Sequence, residues 1–185
     1  MNLPFPIVIS NELELCFKNC YKSILIQPSL RTLNQWQVYL FPKSGVFKST
    51  ILTFFIYFKN FPAQAPQVDF QTGVFHPHID FSTSKCDVAS IIGEWNSQIK
   101  VYTLLNRIYD TFVDLTPLIN GQQQQFYNME AAKLLKNGLE IYSKKALELL
   151  PKNDELIENK ELNTPKRWNQ MKEKLVLSLC SSENI

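Results

Sequence analysis

Leu13, Cys16, Phe17, Cys20, Tyr21 and Ile24 recur at helical spacing, while Glu12, Glu14, Lys18 and Lys22 take the other side, which predicts an amphipathic helix over residues 11–25. Asn11 and Glu14 stand where a capping box would open it. After Pro28 the period changes to two. Trp36, Val38 and Leu40 alternate with Gln35, Gln37 and Tyr39, predicting a half-buried strand from Leu33 to Phe41. Pro42-Lys43-Ser44-Gly45 turns the chain, and Phe47 to Phe58, rich in β-branched and aromatic residues, pairs back as a second strand. Val68 and Phe70 mark a third, short strand. From Thr72 to Gln98 no long periodic segment follows, and a loop of that length inside a compact domain usually has a job. Helical spacing returns with Val101, Leu104, Leu105, Ile108 and Phe112, stops near Pro117, and resumes after Gln122–Gln125 with Ala131, Leu135, Tyr142, Ala146 and Leu149.

Beyond Pro151 the pattern dissolves. Charged and polar residues through Lys160 predict a linker over residues 151–164 behind a domain spanning 1–150. Trp168, Met171, Leu175 and Leu179 then fall on one helical stripe, so residues 165–185 read as a tail whose amphipathic helix docks on the core or on another chain.

Composition narrows the setting. With 185 residues, 45% apolar and 19% charged, the chain is long enough for one folded domain plus an extension. Nineteen basic and 17 acidic residues leave a net charge of +2 with no polybasic block, so nucleic acid and anionic membrane surfaces are not expected partners. Four cysteines without paired Cys-x-x-Cys spacing point away from a zinc site or disulfide framework and toward a reducing compartment. The start, Met-Asn-Leu-Pro-Phe-Pro, lacks a signal-peptide pattern, and the apolar run Ile51–Phe58 is far short of the roughly 20 residues that cross a bilayer. These features predict a soluble, cytoplasmic protein without direct membrane insertion. An organellar or ciliary place inside a large complex is the alternative. No phosphate-cradling glycine loop is present, and no cofactor is expected.

Several ordered segments resemble the ubiquitin-conjugating (UBC) family. Trp36-Gln37-Val38-Tyr39-Leu40-Phe41 resembles its first strand, Gly45-Val46-Phe47 its turn into the second, and Phe61-Pro62-Ala63-Gln64-Ala65-Pro66-Gln67-Val68-Asp69-Phe70 its Tyr-Pro-x-x-x-Pro-x-Val-x-Phe segment. Phe75-His76-Pro77 matches the Phe-His-Pro of its His-Pro-Asn motif, Cys86 lies ten residues beyond that histidine, and Trp95 continues the match. The resemblance implies an α+β, UBC-like fold. It consists of an N-terminal helix, an antiparallel meander of about four strands, a long irregular active-site-type loop and two C-terminal core helices, with the tail helix added. Phe75, His76, Pro77, Pro62, Pro66 and Trp95 are then motif residues of structural weight. Val74-Phe75-His76-Pro77, Ile79-Asp80, Asp87-Val88 and Asn128-Met129-Glu130-Ala131-Ala132 are further similar to the Fused Toes group, that of AKT-interacting protein, among ubiquitin-conjugating enzyme variants. That likeness implies an adaptor in a Hook-like complex or another large assembly rather than an enzyme.

Conjugation needs an accessible thiol, a donor for the tetrahedral oxyanion and a group that helps deprotonate the incoming lysine. Cys86 is the candidate nucleophile. His78 stands where the family motif has its oxyanion Asn, Asp87 replaces the usual Leu after the cysteine, and Thr116 precedes Pro117-Leu118 where an acidic residue is usual, with Asp114 two residues earlier. The carboxylate of Asp87 would raise the thiol's pKa. The expected function is therefore a catalytically inactive UBC-like domain serving as an interaction scaffold. The alternative is an active enzyme forming a thioester on Cys86, and between them stands a variant that binds ubiquitin or an active conjugating enzyme. His76 is expected to brace the loop through a backbone hydrogen bond, and Cys16, Cys20 and Trp36 to pack in the core. His76, His78 and Cys86 lack a fourth partner for a metal.

Overall fold

The computed structural model describes residues 4–29, 32, 34–71, 73–121 and 125–150. The linker at 151–164 and the stripe Trp168, Met171, Leu175 and Leu179 lie outside the described residues.

Helix α1 runs from Phe5 to Asn19, earlier than its apolar stripe suggests, with Pro4 at the N-cap position and no side-chain cap. Proline suits the first turn, where its missing N–H would have had no partner. Asn11 and Glu14 thus sit inside the helix, and the expected capping box does not form. The buried face is Ile9, Glu12, Leu13 and Cys16, whereas Phe17 and Tyr21, expected on the apolar side, are 46% and 43% exposed. Glu12 is the exception to polarity. Its Oε2 accepts a hydrogen bond from the Val101 N–H at 2.9 Å, and Lys100 Nζ lies 3.4 Å from Oε1. It caps a helix distant in sequence, where free amides and the dipole favour an anion.

Four strands follow, β1 Ile24–Pro28, β2 Gln35–Leu40, β3 Leu52–Tyr57 and β4 Gln67–Phe70, paired antiparallel in chain order as a meander. Sequence periodicity misses β1, because Ile24 extends the helical stripe of α1. Phe47 lies ahead of β3, in a turn where Gly45 adopts φ +77 and a Cβ would sit 2.5 Å from the Val113 carbonyl oxygen. Side chains alternate across the sheet. Ile26, Trp36, Val38, Leu40, Leu52, Phe54, Ile56, Val68 and Phe70 form the inner face and share one core cluster with Ile9, Leu13 and Cys16 of α1. Trp36 is fully buried, its ring 4.6 Å from that of Phe58. Each such side chain contributes about 1.5–3 kcal/mol by leaving water.

The long loop holds one short helix, α2 Val88–Ile92, before the central α3 Val101–Val113. Pro117 lies in the first turn of a further short helix, α4 Thr116–Asn120. The last periodic stretch is two helices, α5 Met129–Asn137 and α6 Leu139–Leu149, parted at Gly138. Ala131, Leu135, Tyr142 and Ala146 face the core on both sides of that break, which is why their spacing reads as one helix.

Candidate active site

Three elements hold Phe75-His76-Pro77-His78 from behind. Phe75 is buried, with its ring 6.1 Å from that of Tyr142 on α6, and the Tyr142 hydroxyl donates to the Phe75 carbonyl at 2.9 Å. The Asn128 N–H donates to the Pro77 carbonyl at 3.0 Å. The same residue's Oδ1 accepts from the Ala131 N–H and caps α5. Tyr142 enters the sequence pattern as one more apolar-stripe residue, so its hydroxyl contact has no local signal. Tyr142→Phe is expected to cost about 1–2 kcal/mol, because it leaves a buried carbonyl without its donor. Urea denaturation of the two proteins measures that difference.

His76 is 1% exposed. Its Nε2 lies 3.1 Å from the Thr111 carbonyl on α3, and its Nδ1 accepts from the His78 N–H at 3.2 Å. The two contacts together require the neutral tautomer with the proton on Nε2. Burial first, then the neighbouring His78, pushes its pKa down to about 3. The ring also packs on Phe112, at 4.6 Å between centroids.

His78 is no surface donor. It is 3% exposed, its ring lies 5.8 Å from that of Phe126, and its Nδ1 is buried without a hydrogen-bond partner among the described residues. Burial lowers its pKa, opposed by the charge of Asp87.

Cys86 sits at the sheet edge. Its N–H donates to the Val68 carbonyl of β4 at 2.8 Å, its carbonyl accepts from the Val88 N–H at 3.0 Å, and the His78 carbonyl accepts from the Asp87 N–H at 2.8 Å. An antiparallel bridge to Ile79 completes the enclosure. With 9% exposure, the thiol is pushed far above its ordinary pKa, by burial first and then by the charges of Asp87 and Asp69. Asp87 meanwhile caps α2, its Oδ1 accepting from the Ser90 N–H at 3.1 Å.

The other motif residues are spread around this centre. Asp114 closes α3, and its Oδ1 accepts from the Thr116 N–H at 2.9 Å. Hydrogen bonds from Thr116 hold its pKa below the usual carboxylate value. Trp95 donates from Nε1 to the Pro62 carbonyl at 2.9 Å and lies 5.9 Å from the Phe61 ring. Pro66 is buried and Pro62 exposed. Among the described residues no group of three His, Cys, Asp or Glu is placed to hold a metal ion, and no helix is long and apolar enough to cross a membrane.

A family profile described as ubiquitin-conjugating enzyme matches residues 8–150. AKT-interacting protein of Danio rerio is 26% identical over 161 residues, covering 83% of this chain and 52% of that protein. The human AKT-interacting protein is 24% identical, covering 74% of this chain and 46% of its own length. Protein crossbronx-like of Drosophila pseudoobscura pseudoobscura is 29% identical, covering 75% and 58%. The chain thus spans about half the length of the curated relatives it matches. Among solved structures, one titled "Novel Ubiquitin-Conjugating Enzyme" superposes with a TM-score of 0.63 at 21% identity, covering 76% of this chain and 91% of its own. Ubc12 of S. cerevisiae gives 0.62 at 20% identity, covering 80% of each.

Proposed function

The chain belongs to the ubiquitin-conjugating enzyme family, and from that premise we propose that its domain is catalytically inactive and works as a protein-interaction adaptor or scaffold. The observation that carries the first half is the enclosure of Cys86, 9% exposed and pinned by backbone hydrogen bonds on both sides. Conjugation begins when a thiolate attacks the carbonyl of an activated ubiquitin C-terminus, displacing the activating enzyme's sulfur. Burial and two carboxylates hold the Cys86 proton in place, so the nucleophile is scarce. The carbonyl oxygen that turns anionic in that step needs a preformed donor, and His78 is sealed behind Phe126 instead of lining an open site. The Asp114 carboxylate is occupied by its own turn.

The adaptor half rests on kinship. Relatives named AKT-interacting protein carry an interaction in their name, and the motifs shared with the Fused Toes group point to the same role in a cytoplasmic, Hook-like or otherwise multi-subunit complex. Ubiquitin or an active conjugating enzyme is a further candidate partner. Incubation with ubiquitin, activating enzyme and ATP is expected to leave Cys86 free of any thiol-sensitive adduct. An adduct that Cys86→Ala abolishes would overturn the inactive reading. Affinity purification of the full chain is expected to recover protein partners in stoichiometric amount, and recovery of the chain alone would sink the adaptor role.

A further inference from the structure

The loop Phe75-His76-Pro77-His78 is satisfied behind and unsatisfied in front. Behind it, the Phe75 carbonyl accepts from the Tyr142 hydroxyl, and both ring nitrogens of His76 are engaged, by the Thr111 carbonyl and the His78 N–H. In front runs the short strap Phe126-Tyr127-Asn128, whose residues turn inward, outward and inward: they are 8%, 54% and 7% exposed. Phe126 meets the His78 ring, and the Asn128 N–H bonds the Pro77 carbonyl beside it. Among the described residues three buried side-chain polar atoms lack a hydrogen-bond partner, and two of them, His78 Nδ1 and Asn128 Nδ2, belong to this seam. The third, Thr53 Oγ1, lies away from it on β3.

We propose that this strap is a latch over His78, which opens and closes as a unit while the rest of the domain stays folded. Closing hides the Phe126 ring from water, which favours the shut state. It also takes two polar atoms out of water without giving them partners, which opposes it. Opening returns both atoms to solvent at the loss of the Phe126 burial and the Asn128–Pro77 hydrogen bond. The back of the loop, where the buried polar groups are paired, has no such return, so the strap belongs to the low-stability end of the molecule.

What moves is limited by what stays bonded. Tyr142 and Thr111 keep Phe75 and His76 in place, and the Cys86 N–H remains on the Val68 carbonyl of β4. The latch therefore admits solvent to the His78 imidazole without freeing the thiol. It regulates access to the site already proposed to be inactive and rests on that site's sealed geometry. A thioester adduct on Cys86 would overturn the inactive reading and leave the latch standing.

Opening is measured on the native full chain in two ways. The sequence holds two histidines, so carbethoxylation by diethyl pyrocarbonate, mapped by mass spectrometry, reads both, and His78 is expected to react at least about tenfold faster than His76. Amide hydrogen exchange should likewise show Asn128 at least about tenfold less protected than Ile108 in α3. Equal rates within either pair mean that the strap opens only when the whole domain does, and overturn the proposal whether or not any variant folds. Two substitutions then move the Asn128 to Ile108 ratio in opposite directions. Phe126→Leu trims the latch and should raise it several-fold. His78→Leu, close in size but with no nitrogen to strand, should lower it, whereas an ordinary core disturbance would raise it. An unchanged ratio in the first variant or a raised one in the second overturns the latch.

Discussion

Lowering the pH from about 6.5 to 4.5 is expected to cost the domain about 2 kcal/mol of folding stability through His76 alone. In the unfolded chain this histidine takes up a proton near pH 6.5, but in the fold it resists protonation down to about 3 because burial and His78 oppose the charge. Below pH 6.5 the unfolded state therefore binds a proton that the native state does not. Each further pH unit removes about 1.4 kcal/mol until the folded pKa is reached, a large share of the 5–15 kcal/mol typical of a domain. Above pH 6.5 both states are neutral and the contribution is whole.

Geometry gives the same answer as burial. Protonating Nδ1 would turn the acceptor of the His78 N–H into a second donor facing it. His78, whose pKa is also lowered, adds to the loss with the same sign. Denaturant titrations between pH 8 and 4.5 measure the slope. In His76→Gln, whose amide can still donate to the Thr111 carbonyl, the slope should shrink to the part that His78 contributes. A wild-type stability flat across that range would show that His76 is not held neutral by the fold.

Much of the architecture was legible because it rests on local periodicity. Trp36, Val38 and Leu40 announced β2, and Leu104, Leu105, Ile108 and Phe112 announced α3, since one buried face imposes one period. What escaped notice depended on distant partners. Glu12 reads as solvated until α3 brings an uncapped N-terminus to it, and Ile24 continues a helical stripe although β2 claims it as a strand residue. Gly138 splits a helix whose apolar spacing survives the break. The site divides in the same way. The position of Cys86 relative to His76 is a matter of counting, but the closure of the loop over both depends on Asn128, Phe126 and Tyr142, 40 or more residues on.

Cys86 is expected to react with iodoacetamide at pH 8 roughly a hundredfold or more slowly than a free cysteine, and to reach the free rate only in denaturant. Two barriers act together. The reagent must reach a sulfur that is 9% exposed, and the attacking species is the thiolate, which burial, Asp87 and Asp69 all disfavour. Mass-spectrometric timing of the Cys86 peptide, native against denatured, reads the ratio directly, and native labelling at the denatured rate would show the thiol to be open. Asp87→Asn separates the causes. Asparagine serves as an N-cap about as well as aspartate, so α2 should persist while the adjacent charge disappears. Burial is the larger cause, and the variant should recover only a small part of the lost rate. Full recovery would place the block in one carboxylate, so that a single substitution could reopen the chemistry. Partial recovery means that a thioester-competent Cys86 requires the loop from His78 to Val88 to leave β4, where the Cys86 N–H bonds the Val68 carbonyl at 2.8 Å.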